Sequence, residues 1–354
     1  MDFTRDEAQE AVAEVVVGLL ERQAARDSAL WPELAATGLL SVALPERFGG
    51  DDMGTDAVSV LLTELATDAV AAPALPTLGF GVLPLLGAVP ESVAAEVFPA
   101  VAEGAVLTAA ISEPGAPLTT EPTTKAELSG DTVRITGYKV AVPCADQARW
   151  LLVTTESGVA VVDAKAAGLS LAPSPVSGGL PEFSVKLDGV EIPADRLLAD
   201  AGPRLHRVVL AAIGAVADGL LSGAVKLTAA HVGTRQQFNR PLAEFQAVAQ
   251  QIADLYVVSR TLHVAAVSAN WALGQNAPSP EQQQRIDDDL NVLAYTVAAE
   301  LPRAMQKCHH LHGGIGVDVT HSMHRYYSQS KDLARWLGGA ALRLERLGAG
   351  CSSI

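Results

Sequence analysis

The sequence predicts an α+β fold with segregated layers: an N-terminal helical domain, a middle antiparallel β domain and a C-terminal four-helix bundle. Three observations predict it. Apolar residues recur at helical spacing up to about residue 105, and short β-branched runs parted by Gly, Pro and Asp take over across 106–204. The helical period then returns across 205–354. Helices followed by a block of strands imply layers that do not alternate.

In the first domain, residues 5–25 set Val12, Val15, Val16, Leu19 and Leu20 at helical spacing, and 55–67 repeat the habit. Between them Leu30-Trp31-Pro32-Glu33-Leu34 leads through Gly38-Leu39-Leu40 to Pro45-Glu46-Arg47-Phe48-Gly49-Gly50, a helix closed by a glycine turn. In the second, strands are expected at 132–136, 151–155, 159–162 and 184–187. In the third, Phe245, Val248, Ile252, Leu255 and Leu262 share one face of a helix across 241–273, and Pro278-Ser279-Pro280 is a loop between helices. No internal repeat is present.

Composition narrows the function. Hydrophobic residues make up 49% and charged ones 18% of 354 residues, enough for two or three packed units. The net charge of −15 repels phosphate backbones, so neither nucleic acid nor an anionic membrane is an expected partner. Cys144, Cys308 and Cys351 stand far apart without metal spacing, and their odd number suits a reducing compartment. Residues 1–7 are acidic and amphipathic, unlike a secretory signal, so a cytoplasmic location is expected. The apolar stretch 208–225 is long enough to span a bilayer. It carries Asp218, which at a membrane centre costs about 2.5–3.5 kcal/mol, together with Gly214, Gly219 and Gly223, and is expected to be a buried core helix.

Five segments carry a family resemblance. They are 30–50, Ile111-Ser112-Glu113-Pro114-Gly115-Ala116, and 183–198 with its Asp188-Gly189-Val190-Glu191-Ile192-Pro193-Ala194-Asp195-Arg196. The other two are the run from Arg235-Gln236-Gln237-Phe238 to Phe245-Gln246 and His312-Gly313-Gly314-Ile315-Gly316. In this order, on a helix–strand–helix layout, the chain resembles the acyl-CoA dehydrogenases over essentially its whole length. More narrowly, Cys308-His309-His310-Leu311-His312, His324-Arg325-Tyr326-Tyr327-Ser328 and Cys351-Ser352-Ser353-Ile354 resemble the smaller subunit of two-gene actinobacterial enzymes that shorten the steroid side chain.

The resemblance implies a reaction in which a carboxylate base removes the α-proton of an acyl thioester while the β-hydrogen passes to the flavin of FAD. It places that base at Leu337, in Trp336-Leu337-Gly338-Gly339, or early in a helix at 206–212, where no carboxylate stands. A leucine accepts no proton. The half of the flavin site that covers the ring is also altered: Pro117-Leu118-Thr119 follow Gly115-Ala116, and Ala141-Val142-Pro143 stand where the family has Trp-Ile-Thr. The half that reaches across to a neighbour's flavin survives in Arg235, Gln237, Phe238, Gln246, Gly313 and Gly314, with His310 in place of the usual glutamine. Arg235 offers a fixed fork for pyrophosphate, and the paired glycines let backbone approach a nucleotide.

Plainer readings stand beside these. A lone arginine is more often a solvated surface group, and a Gly-Gly pair a mere helix-connecting turn. His309, His310, His312, His321 and His324 suggest a metal, yet no Cys or carboxylate completes a familiar spacing, and a structural role is expected. Asp218 is either a hydrogen-bonded helix partner or a displaced base of raised pKa, and Glu113 is expected to be structural. The implied function is that of a base-less subunit in an α2β2 FAD-dependent acyl-CoA dehydrogenase. A larger catalytic subunit is its partner, a bulky steroid side-chain acyl-CoA its substrate and electron-transfer flavoprotein or a similar protein its acceptor. The alternatives are a self-sufficient homo-oligomeric dehydrogenase and a non-enzymatic acyl-CoA or flavin binder.

Overall fold

The computed structural model describes residues 3–275 and 278–351, with the side chain of Cys351 outside the description. The resemblance-bearing Ser352, Ser353 and Ile354, and Met1 and Asp2 of the acidic start, lie outside the described residues.

The first layer is helical: α1 (Glu7–Arg22), α2 (Trp31–Ala36), α3 (Gly54–Thr67), α4 (Leu83–Leu85) and α5 (Glu91–Ala102). A capping box between Asp6 and Gln9 starts α1, which buries Val12, Val16, Leu19 and Leu20 and leaves Val15 in solvent. The glycine turn expected after Phe48 is present, with Gly49 at φ 80° closing a single 3-10 turn, Glu46–Phe48. One element escaped the sequence. The apolar run Leu75–Val82 forms a π-helix, fully buried, that feeds α4. It is wedged between its neighbours: a Cβ on Gly79 would stand 2.7 Å from Cβ of Ala212, and one on Gly81 2.5 Å from Cγ of Leu107.

The second layer comprises β1 (Val106–Ala110), β2 (Lys125–Ser129), β3 (Thr132–Pro143), β4 (Ala148–Thr155), β5 (Gly158–Asp163), β6 (Leu169–Ser174), β7 (Glu182–Pro193) and β8 (Leu197–Leu198). Each of the four expected strands lies within a longer one. They make two four-stranded sheets, β1-β4-β5-β8 and β2-β3-β7-β6. Val133, Ile135, Val185, Leu187 and Ile192 of one sheet share a core with Leu151, Val153, Ala160 and Val162 of the other. The expectation of antiparallel strands needs one correction: β1 runs parallel to β4. A parallel neighbour requires a crossover, and here the chain crosses through β2 and β3 of the opposite sheet before returning, a connection that strand-by-strand patterning does not reveal.

The third layer is a bundle of α6 (Ala201–Thr234), α7 (Gln246–Leu273), α8 (Pro280–His312) and α9 (Met323–Trp336), with α10 (Gly339–Cys351) packed on α8. Between α6 and α7 a short ribbon pairs β9 (Gln236–Gln237) with β10 (Arg240–Pro241). The helix expected across 241–273 begins at Gln246, and of its expected face Leu255 and Leu262 are buried while Phe245, Val248 and Ile252 are half-buried. The long apolar helix α6 is the core of the molecule, 89% buried over its most apolar window. Its Asp218 accepts a hydrogen bond from Nδ1 of His263 on α7 at 2.9 Å.

Candidate functional site

The end of α6 builds an exposed hairpin. Arg235 donates its backbone N–H to the carbonyl of His231, and Leu242 donates to that of Arg235, both at 2.9 Å. Phe238 and Asn239 at the turn take positive φ of 53° and 63°, the pair of left-handed residues that a two-residue hairpin demands. Phe238 is thereby lifted into solvent, 87% exposed, with its ring 6.2 Å from that of Phe245. Gln237 lies on the same ribbon and Gln246 opens α7; both are exposed. Among the described residues no carboxylate pairs with the guanidinium of Arg235, whereas Arg240 lies 4.0 Å from the centroid of Phe245.

The second segment is the end of α8. His310 is exposed, Gly313 takes φ 64°, and a Cβ added to Gly313 or Gly314 would meet nothing within 4 Å. Histidines join the two segments. The ring of His231 stacks on that of His312 with centroids 4.6 Å apart, and His321 closes on His312 edge to face at 5.0 Å. His312 donates Nδ1–H to the carbonyl of Cys308 at 2.9 Å. Burial, then the neighbouring His321 and Arg235, holds His231 below the usual imidazole range. The stack ties α6, α8 and the turn after α8 together. What results, among the described residues, is a guanidinium without a carboxylate partner and an open glycine backbone on two segments joined by the His231–His312 stack, donors that suit an extended phosphate-bearing ligand.

The opposite half of the expected site has another character. Glu113 is spent on structure: its carboxylate accepts from the N–H and hydroxyl of both Thr123 and Thr124 and from Nζ of Lys139 at 2.8 Å. Burial raises its pKa, but these donors outweigh burial and hold the carboxyl well below its usual range. Leu118 is buried at φ 40°, its N–H held by Oγ of Ser112 at 3.0 Å. Ala141 takes φ 53° and Val142 is fully buried. Leu337 has no exposed surface, and Trp336 beside it donates Nε1–H to Glu182 at 2.8 Å and meets Phe80 edge to face. Of the carboxylates flanking this turn, Glu182 accepts from Arg335 and Trp336 through Oε1 while its buried Oε2 meets no donor among the described residues, and Asp332 accepts from Arg335 and the N–H groups of Ser177 and Gly178.

Two arginines of α10, which sequence reasoning did not single out, complete the closure. Arg343 donates Nε–H to the carbonyl of Leu337 at 2.7 Å, and Arg346 donates to the carbonyls of Pro117 and Leu118 at 3.2 and 3.4 Å. A Cβ on Gly338 would stand 2.6 Å from Cγ of Pro117. The loop after Ala116 is thus clamped to the turn carrying Leu337. Their one sequence signal was two arginines three apart on a helix otherwise rich in leucine.

With this geometry in hand, comparison with known proteins is decisive. A family model described as acyl-CoA dehydrogenase, N-terminal domain, matches residues 2–105, and acyl-CoA dehydrogenase, C-terminal domain, matches 207–350. The acyl-CoA dehydrogenase FadE28 of Mycobacterium tuberculosis is 45% identical over 353 residues, 99% of each chain. The chain belongs to the acyl-CoA dehydrogenase family. Among solved structures, a chain of the ChsE4-ChsE5 complex from Mycobacterium tuberculosis superposes with a TM-score of 0.90 at 27% identity, covering 100% of both chains. A chain of the Tcur3481-Tcur3483 steroid ACAD gives 0.86 at 32% identity, covering 98% of this chain and 97% of that one. In this acyl-CoA dehydrogenase, then, the position that the resemblance assigns to the base is a buried leucine.

Proposed function

We propose that this chain is the base-less subunit of a heteromeric, FAD-dependent acyl-CoA dehydrogenase that introduces an α,β double bond into a bulky acyl-CoA of the steroid side-chain class. Its contribution is the distal part of the flavin cradle in a partner's active site. The observation that carries this reading is an asymmetry within one molecule. Arg235, Gln237, Phe238, Gln246, His310, Gly313 and Gly314 are exposed, and among the described residues no carboxylate pairs with Arg235. The ring-covering half is closed by Leu118, Leu337 and Arg346.

The donor chemistry fits FAD on the open half only. When bound, FAD supplies the acceptor for the β-hydrogen of the thioester. This chain's part is to hold the phosphate-bearing end: Arg235 by a charge-assisted fork, Gly313 and Gly314 by admitting backbone close to it, and Phe238 by an exposed ring face. On the closed half, the backbone carbonyls of Pro117 and Leu118 already accept from Arg346, and Leu337 accepts no proton. The carboxylate base and the ring contacts therefore come from a larger catalytic subunit, with electrons leaving to electron-transfer flavoprotein or a similar acceptor in the cytoplasm. One solved relative described as a complex, and another named for two proteins and described as a steroid ACAD, support the heteromeric reading. A self-sufficient enzyme using Asp218 as base is disfavoured by the bond of that carboxylate to His263.

The test is expression of the chain alone and together with a longer homologue that retains the glutamate, reading flavin absorbance, mass and dehydrogenation. Flavin and turnover are expected in the co-expressed complex alone. Stoichiometric flavin with turnover from the single chain would overturn the reading.

A further inference from the structure

Three imidazoles lie between the hairpin that carries Arg235 and the turn that carries Gly313 and Gly314. His231 belongs to the last turn of α6, His312 ends α8, and His321 precedes α9. His312 is the middle ring, stacked on His231 and met edge to face by His321. Beside them His309 meets the ring of Tyr327 at 5.1 Å, and Nζ of Lys331 lies 4.1 Å from the centroid of that ring.

The bonds of two rings require the neutral imidazole. His312 donates Nδ1–H to the carbonyl of Cys308, so its bare nitrogen is Nε2, which is buried without a partner. A proton there would become a buried N–H with no acceptor. Nδ1 of His321 accepts the backbone N–H of Met323, the first residue of α9, at 3.2 Å, and a proton on that nitrogen breaks the bond. The neighbours do not offset added charge. Arg235 acts on His231 from the end of α6, His309 acts on His312 along α8, and His324 of α9 donates Nδ1–H to the carbonyl of His321 at 2.8 Å. The carboxylate that faces His321 and His324 is Asp318, to which Thr320 already donates its N–H and its hydroxyl, both at 2.8 Å. Burial first, then these neighbours, hold both His231 and His312 below the usual imidazole range, although the bond to Cys308 opposes this at His312. Such a ring binds a proton less well in the fold than in a loosened segment. The contact is therefore at full strength above pH about 6.5 and weakens as pH falls from there toward the folded values.

We infer that His231, His312 and His321 form a proton-sensitive positioning cluster: neutral, they hold the Arg235 hairpin and the Gly313–Gly314 turn in register, and protonated, they let the two segments part. What the segments hold rests on the flavin reading above; the cluster itself does not. Proton uptake puts like charges on rings whose centroids are 4.6 and 5.0 Å apart, beside an arginine, and favours separation. Because the hairpin is exposed, this opening is local and precedes loss of the core.

The experiment has two arms, each run at about pH 7.5 and about pH 5.5 in buffers of equal ionic strength, on either side of the ordinary histidine range. In the full chain alone, amide hydrogen exchange is followed at Arg235, Leu242, Gly313 and Asp318, whose N–H groups are bonded within the two segments, with rates divided by the intrinsic rate at each pH. In the complex with the larger subunit, FAD dissociation is followed. The wild type is expected to lose protection at the lower pH and to release FAD roughly threefold faster or more there. His231→Phe keeps a ring for the stack and takes no proton, and His312→Asn keeps a donor for Cys308. Each should flatten the ratio between the two pH values, and His231→Phe, at a half-buried position, serves if the buried variant fails to fold. Wild-type protection that is equal at both pH values, or that the variants lose as the wild type does, overturns the cluster. Opening in the chain alone, with unchanged FAD release from a complex that Arg235→Ala does weaken, overturns the positioning role. If Arg235→Ala holds FAD as tightly as wild type at the higher pH, it is the flavin reading that fails, and the exchange arm still decides the cluster.

Discussion

Leu337 is the residue on which the proposed loss of the reaction turns. It has no exposed surface, and its carbonyl is held by Arg343. Restoring the missing group should not restore the chemistry. A glutamate at 337 meets the guanidinium of Arg343, whose terminal nitrogens have no other acceptor, and an ion pair there lowers proton affinity and fixes the carboxylate as a salt-bridge partner. The ring-side loop also stays clamped by Arg346. Leu337→Glu, assayed without any partner for dehydrogenation of an acyl-CoA, is therefore expected to give no turnover; measurable turnover would show that the closed half still works. The leucine itself was legible in the sequence because a missing carboxylate at a family position needs no coordinates. Arg343 and Arg346 were not, because the α10 pattern does not tell which arginine faces a cleft and which faces water.

Among the elements, α6 gives the clearest contrast between propensity and packing. On propensity alone, glycine to alanine inside a helix gains about 1 kcal/mol. Here the sign reverses. A Cβ at Gly219 would stand 2.2 Å from the carbonyl oxygen of Thr63, and at Gly223 2.0 Å from that of Thr67, both rigid backbone atoms of α3. At Gly214 the nearest atom is Cδ2 of Leu293 at 2.5 Å, the mobile tip of a side chain. Gly219→Ala and Gly223→Ala should each destabilise by about 1–3 kcal/mol or more, and Gly214→Ala by less. Urea unfolding midpoints check the order; equal midpoints for all three would mean that α6 and α3 are free to separate. The sequence showed these glycines and, chiefly through Asp218, set aside a membrane span, but it did not show the partner helix. Local periodicity likewise found α1, α3 and four strands, yet missed the π-helix and the parallel β1–β4 pair, since both are decided by what lies across the core.

At the scale of the whole molecule, the proposed half-site reading has cofactor affinity shared between chains, and Arg235 tests this. It sits on an exposed hairpin, so its loss is expected to leave the core of this chain intact. A charge-assisted hydrogen bond to phosphate contributes about 1.5–3 kcal/mol, so Arg235→Ala in the reconstituted complex should release FAD roughly tenfold to a hundredfold more readily. Lysine at this position should rescue only part, because a point charge does not reproduce the guanidinium fork. The measurement is FAD dissociation from wild-type, alanine and lysine complexes at matched salt, with mass recorded to verify assembly. Salt matters because the contact is ionic and exposed, and screening at high ionic strength narrows the difference. An assembled alanine complex that holds flavin as tightly as wild type would make Arg235 a surface residue and leave this chain with a scaffolding role only. A graded series, wild type above lysine above alanine with assembly unchanged, is the signature of a phosphate contact made across a subunit boundary, since a purely structural residue on so exposed a hairpin has no reason to rank the variants by their donor geometry.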